Sequence, residues 1–394
     1  MEHRVPFLDL KALDAPYRDE IKEAVCAAID SGRYIGGPVV EAFEKDLAKA
    51  TETPYAVGLS NGLDALRLSL RAAIELGYIH HGDGVIVAAN TYIASVLAIT
   101  DNGLLPVLIE PSLHTYNLDT SLVEQSIAEA AAHGITVSAI MPVHLYGRAC
   151  WDSTLADAVR RHGLFVIEDN AQAIGARAEH PGLCGTHTTG GLGHIGAFSF
   201  YPTKNIGAIG DAGAIATHDE KIAQTIRALA NYGSDRRYHN IYCGYNCRLD
   251  TIQAAILGIR LRHLDEISSQ RRQHAEALAG ALRGCDNIIC PETPTHSLTH
   301  VWHQYVIRVK PSADSTGEDL RRLRGRLRQS LEDAGISTDI HYATPPHRQP
   351  CYASLEHGAL PLTELLADSV LSLPVAAALT PDELRLLATA IANG

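Results

Sequence analysis

The sequence predicts an α/β protein, a mostly parallel β-sheet with helices on both faces, followed by a smaller α+β unit. Three observations lead there. Across the first two-thirds of the 394 residues, short apolar runs alternate with segments of helical period, the pattern of βαβ units. From about Asp250 that alternation gives way to one long helical stretch. The length also exceeds what one hydrophobic core usually supports, so two domains are expected, residues 1–250 and 251–394.

The elements follow in order. Residues 53–59 read as a strand and residues 63–74, rich in Leu, Ala and Arg, as a helix. Residues 85–88 form the next strand and 94–100 the next helix. Strands at 105–109 and 138–143 flank a helix at 121–133. A helix over 152–162 stops at Gly163, a favoured C-terminal residue, and leads into the buried strand Leu164-Phe165-Val166-Ile167. Residues 178–194, crowded with Gly, Thr and His, read as a long flexible flap beside the site. Beyond residue 250 the helical stretch runs to 282, residues 301–309 alternate like a half-exposed strand, and 315–335 are an Arg-rich helix. Residues 361–393 give two more short helices.

With 46% hydrophobic and 20% charged residues, the chain is an ordinary globular protein. A formal net charge of -12 excludes a general nucleic-acid or anionic-membrane binder, which needs a basic footprint. An anionic ligand stays compatible, because helix N-termini hold phosphate locally. The start, Met1 to Pro6, lacks an apolar signal core, and no apolar run reaches bilayer length, so a cytoplasmic protein is expected. Eight scattered cysteines form no CxxC framework and read as reduced thiols. Cys243 and Cys247 lack a second pair, and His180, Cys184, His187 and His194 fit no standard spacing, so no metal site is expected.

The most informative stretch is Ser199-Phe200-Tyr201-Pro202-Thr203-Lys204-Asn205, a lysine in a Gly-rich setting just after a short apolar strand. Upstream, the strand at Ile167 ends in Glu168-Asp169-Asn170-Ala171-Gln172. A loop lysine is commonly solvated, and an Asp at a strand end often caps a helix. Together, in this order, they fit pyridoxal phosphate. Lys204 would hold the aldehyde as a Schiff base, Asp169 would keep the pyridine nitrogen protonated, and the Ser199 hydroxyl would help bind the phosphate. Ser60-Asn61-Gly62-Leu63 marks a strand-to-helix turn whose small and polar residues let backbone amides approach a phosphate, or where Ser60 or Asn61 is an ordinary cap. Tyr92, after another strand, offers an aromatic to stack on a pyridine ring, or simple packing. The segment from Gly244 to Ala255 opens the long helix with polar groups.

These motifs resemble the DegT/DnrJ/EryC1/StrS sugar aminotransferases over nearly the whole chain, from Val5-Pro6-Phe7-Leu8-Asp9-Leu10 to His341-Tyr342 and Pro345-Pro346-His347. The resemblance implies a fold-type I, aspartate-aminotransferase-like large domain with an N-terminal arm. It implies pyridoxal 5'-phosphate as cofactor, pyridoxamine phosphate as its intermediate form, and Lys204 and Asp169 as the catalytic pair. Gln172 would neighbour the ring hydroxyl, Tyr92 would stack on the ring, and Ser199 with the Gly62 and Leu63 amides would hold the phosphate. Asn246 falls where a neighbouring subunit contributes, which implies a homodimer with shared active sites.

One departure stands out. Many relatives carry Ser-Gly-Thr where this chain has Asn61-Gly62-Leu63, a loss of one phosphate hydrogen bond worth about 1 kcal/mol. The version here, with Asn205 to Asp211, is similar to the branch that aminates C3 of nucleotide-linked 3-keto-6-deoxyhexoses. The expected reaction carries an amino group from L-glutamate to such a sugar, with dTDP-3-keto-6-deoxyhexose as acceptor. Substrate candidates are Tyr34, Arg248, His341 and Tyr342, and Arg33 joins Arg248 as a candidate for the donor carboxylate. Amination of a 4-keto sugar or a cyclitol ketone is the neighbouring alternative. Sugar 3-dehydratases of this fold place His where Lys204 stands, and a non-catalytic PLP-binding regulator would leave Lys204, Asp169 and Ser199 without a purpose.

Overall fold

The computed structural model describes residues 5–179, 185–296, 299–312, 314–376 and 379–394. Apolar runs become strands close to where the sequence puts them: β1 (Tyr55–Leu59), β2 (Gly84–Ala88), β3 (Leu105–Ile109), β4 (Val137–Met141) and β5 (Phe165–Asp169). A short hairpin of β6 (Arg177–Glu179) and β7 (Thr186–Thr188) follows, then β8 (Ile195–Ser199) and β9 (Gly213–Thr217). The main sheet has the order β1-β9-β8-β5-β4-β2-β3. Strand β9 runs antiparallel to both neighbours, and every other pairing is parallel. The carboxyl ends of β1, β2, β5 and β8 therefore share one edge, where ligands of open α/β sheets bind.

Helices cover both faces because the strands are apolar on both. Val85, Val87, Phe165 and Ile167 face a core shared with the helices Gly62–Glu75 and Ile93–Asp101. Ile86, Ala88 and Val166, the alternate residues, face the helices Val123–Ala132 and Ser153–His162. Asp152 caps the latter helix by accepting from the Leu155 amide at 2.8 Å, and Gly163 ends it with φ 63°.

The remaining strands are β10 (Ser234–Arg236), β11 (His239–Asn240), β12 (Ile288–Ile289), β13 (Tyr305–Val309) and β14 (Val370–Leu373). β12, β13 and β14 make an antiparallel sheet packed by the helices Leu264–Ala281, Gly317–Asp333 and Pro381–Asn393, with Leu278, Ile307, Leu327 and Leu371 in its core.

Four expectations need correction. The helical stretch from 250 to 282 is two helices, Thr251–Arg262 and Leu264–Ala281, broken at His263 (φ -101°, ψ 10°). The first packs on the helices Arg18–Asp30 and Pro38–Ala50 and the second on the β13 core, so one straight axis could not serve both. Strand β13 is buried throughout, because the polar residue that produced its alternation, Arg308, is buried and donates to the Tyr116 hydroxyl at 3.3 Å. The tail contains β14 between its two helices. The flap at 178–194 is a β6–β7 hairpin whose return is buried at Thr188 and Thr189 and anchored by Glu168, and none of its described residues lines the cavity around Lys204. His180 and Cys184 lie outside the described residues. Among the described residues, no helix is long and apolar enough to cross a membrane.

Candidate active site

A cavity of about 460 Å³ opens at the shared carboxyl edge of β1, β2, β5 and β8. Gly62, Leu63, Tyr92, Asp169, Gln172, Ser199 and Lys204 line it from the large sheet, and His303, Gln304, His341 and Tyr342 close it from the β13 side.

Strand β5 ends in Asp169, whose backbone is pinned on both sides: its amide donates to the Pro142 carbonyl at 3.0 Å and its carbonyl accepts from His144 at 3.1 Å. The carboxylate accepts from the Ser95 hydroxyl at 2.7 Å and from the Ala171 amide at 3.2 Å. Thr91 holds Ser95 in turn, hydroxyl to hydroxyl at 2.8 Å. Lys204 follows β8 in a tight turn, its amide donating to Tyr201 at 2.8 Å. Burial pushes its ammonium down to about 8, against the opposing pull of the Asp169 charge.

Gln172 bridges two walls. Its carbonyl accepts from the Tyr146 amide at 2.6 Å, and its amide donates to the Tyr342 hydroxyl at 3.0 Å. The Tyr92 ring lies 5.3 Å from the Tyr342 ring. Tyr146 donates to the His341 carbonyl, and the His341 imidazole meets the Ser372 hydroxyl at 2.8 Å. Burial raises the Tyr342 phenol and lowers His341, whose drop Asp339 opposes and Lys204 reinforces.

The remaining corner is built for an anion. The helix Gly62–Glu75 starts at the cavity, and its first-turn amides have no intrahelical acceptor. A Cβ on Gly62 would lie 2.5 Å from Cβ of Ser199, so only glycine lets the helix end close on that hydroxyl. Asn61 is committed as the N-cap, accepting from the Asp64 amide at 2.8 Å and donating to the Asp64 carboxylate at 2.7 Å. Its side chain thus anchors the turn, and Gly62 and Leu63, at the helix start, line the cavity beside Ser199. An amine for an aldehyde, a carboxylate for a pyridinium and an amide corner for a phosphate fit pyridoxal phosphate.

Four of the sequence candidates fall elsewhere. Tyr34 is 53% exposed, its hydroxyl 3.5 Å from the Ile29 carbonyl. Asn246 and Arg248 line a separate cavity of about 330 Å³ with Ser60, and Asp211 borders both cavities. Arg248 donates to Asn231 at 3.0 Å and lies over the Tyr232 ring. Arg33 lines neither cavity. The sequence reading missed Ser95, His303 and Gln304. Ser95 was findable, since it sits one helical turn after Thr91 and beside Tyr92. His303 carried no local signal. It meets Asn205 at 3.2 Å, and burial holds its imidazole well below the ordinary range, aided by the Lys204 and Arg271 charges.

The chain is similar to other proteins along nearly its whole length. Erythromycin biosynthesis sensory transduction protein EryC1 of Saccharopolyspora erythraea is 42% identical over 373 residues, covering 94% of each chain. The dTDP-3-amino-3,4,6-trideoxy-alpha-D-glucose transaminase of Streptomyces venezuelae is 41% identical, covering 98% of this chain and 94% of that protein. The crystal structure of S. venezuelae DesV in complex with a ketimine intermediate superposes with a TM-score of 0.87 at 41% identity, covering 99% of this chain and 98% of that one. The model of the DegT/DnrJ/EryC1/StrS aminotransferase family matches residues 16–392, and with the site geometry it settles membership: the chain belongs to that family.

Proposed function

We propose that the protein is a pyridoxal-phosphate-dependent aminotransferase that moves an amino group from L-glutamate to C3 of a nucleotide-linked keto sugar, a dTDP-3-keto-6-deoxyhexose. The carrying observation is a single cavity that joins an amine of lowered basicity, a strand-end carboxylate and a helix N-terminus closed on a serine. Relatives named as dTDP-3-amino-sugar transaminases support the acceptor class.

When bound, pyridoxal phosphate supplies an electron sink for the carbon that loses its proton. Lys204 would hold the aldehyde carbon, Asp169 would face the ring nitrogen, Gln172 the ring hydroxyl and Tyr92 the ring face. Ser199 and the Gly62 and Leu63 amides would hold the phosphate. Asp169 is kept in one orientation by Ser95 and the Ala171 amide, so its charge needs no reorganisation when positive charge settles on the ring. Lys204 Nζ, its basicity lowered by burial, would be the group in the cavity that takes up a proton and returns it. The Gln172–Tyr342 hydrogen bond ties the sheet wall of the cavity to the wall that Tyr342 supplies.

Asn246 completes the site from a second copy in this reading. Tyr34, Ile35, Tyr232, Tyr238 and Tyr245, all exposed in one chain, supply apolar surface for that copy to cover. The setting is cytoplasmic, in keeping with the nucleotide-sugar substrate.

The test is a panel of dTDP-linked 3-keto and 4-keto sugars and scyllo-inosose, each with glutamate, following 2-oxoglutarate release. The 3-keto sugar should turn over and the others should lag well behind. Preference for a 4-keto sugar or the cyclitol would overturn the acceptor. A regulatory role is the second reading, favoured by similarity to EryC1, a protein named for sensory transduction. Bound cofactor with no turnover on any acceptor would favour it.

A further inference from the structure

Lys204 also borders a second cavity, of about 430 Å³, which the reaction does not use. The segment from Leu10 to Tyr17 forms one wall, and Ile267, Gln270, Arg271 and His274 of the helix Leu264–Ala281 form another. Two arginines reach it, and among the described residues only one has an acidic partner. Arg260 pairs with Asp14 and donates to the Gly207 carbonyl. Arg271 is 4% exposed and has no acidic partner among the described residues. Its Nη1 donates to the Trp302 carbonyl at 3.1 Å and the His303 carbonyl at 3.4 Å, and its other nitrogens make no hydrogen bond among the described residues. Burial pushes its guanidinium down to about 10, a cost that no neighbouring charge offsets.

A buried guanidinium with one edge tied to carbonyls and the other facing a cavity is a preset fork. Its free Nε and Nη2 donors match the two oxygens of a carboxylate. Gln270 and His274 add polar atoms to the same wall, and Leu13 and Ile267 an apolar lining. The volume admits an acid of four or five carbons with room to spare. We propose that this cavity binds a small carboxylate anion seated on Arg271, at a site distinct from the reaction cavity and separated from it by the Lys204 turn.

The test is calorimetric titration of the holoenzyme with succinate, which has neither an amine nor a keto group to react. Saturable binding is expected, weakened about tenfold or more in Arg271→Gln and in Leu13→Trp, which fills the cavity from its opposite wall. Leu13→Trp should leave affinity for the nucleotide-sugar product unchanged, and it carries the test alone if Arg271→Gln does not fold. No heat with succinate would overturn the proposal. So would succinate binding that Leu13→Trp leaves intact and the nucleotide sugar displaces, since the anion would then sit in the reaction cavity. Inorganic phosphate displacing succinate at equal concentration would overturn the carboxylate assignment.

Discussion

Glu168 and Asp169 are adjacent carboxylates on β5, and their surroundings give them opposite tasks. Glu168 is fully buried with both oxygens in use. One accepts from the Leu192 and Gly193 amides, each at 2.8 Å, and the other from the Gly190 amide at 2.7 Å and His144 Nε2 at 2.9 Å. The Cys150 amide donates to His144 Nδ1 at 2.9 Å, so Nε2 carries the ring proton that Glu168 receives. Asp169 has one hydroxyl and one longer amide contact, and it faces the cavity. Strand alternation alone sends the two to opposite faces of the sheet. A saturated carboxylate organises the fold around it, whereas an under-partnered one keeps capacity for a ligand.

Exchanging each acid for its amide tests that contrast. Asp169→Asn should cut turnover on the order of a hundred- to thousandfold while the melting temperature barely moves, because only the fixed charge is lost. Near-normal turnover would reduce Asp169 to a backbone cap. Glu168→Gln should do the reverse. Its amide group must face backbone N–H donors, costing about 1–3 kcal/mol of stability, with turnover per folded site little changed. If Glu168→Gln lost turnover without losing stability, the division of labour between the two acids would fail.

The proton affinity of Lys204 sharpens the Asp169 side. Only the neutral amine attacks an aldehyde, so uptake of pyridoxal phosphate by cofactor-free protein should rise with pH through about 8, not through the ordinary lysine value of 10.5. The Asp169 charge raises the Lys204 pKa, so Asp169→Asn should move that midpoint lower still. An unshifted midpoint near the ordinary value would contradict the buried-amine account. The smallest effect belongs to Ser95→Ala, which removes one hydroxyl donor from Asp169 and should cost about 1 kcal/mol, roughly a fivefold loss in turnover. Stopped-flow uptake and steady-state rates check both.

What the sequence made legible was whatever rests on short-range pattern. Apolar runs at Val85–Val87 and Phe165–Ile167 mark strands buried on both faces, and Asp152 with Gly163 brackets a helix. The lysine, the strand-end acid and the glycine turn were readable because each chemistry constrains its own neighbours. What stayed hidden depends on partners distant in sequence. Nothing local breaks the helix at His263; the two cores it must serve do. Arg308 looks exposed until Tyr116 comes to meet it. The 178–194 stretch looks loose because its anchor, Glu168, lies outside it. His303 reaches the cavity only through the packing of β13 against the large sheet. For Asn246, the fold of one chain puts it beside Arg248, away from Lys204, and mixing Lys204→Ala with Asn246→Ala chains should restore partial activity if the site is shared.

Every role proposed for the cavity depends on Lys204 carrying the cofactor. Borohydride reduction of the purified holoenzyme, followed by peptide mapping, tests it most directly. A single phosphopyridoxyl label is expected on the peptide containing Lys204, together with a Lys204→Ala protein that folds but does not turn over. Label recovered on another lysine, or wild-type rates in Lys204→Ala, would contradict it.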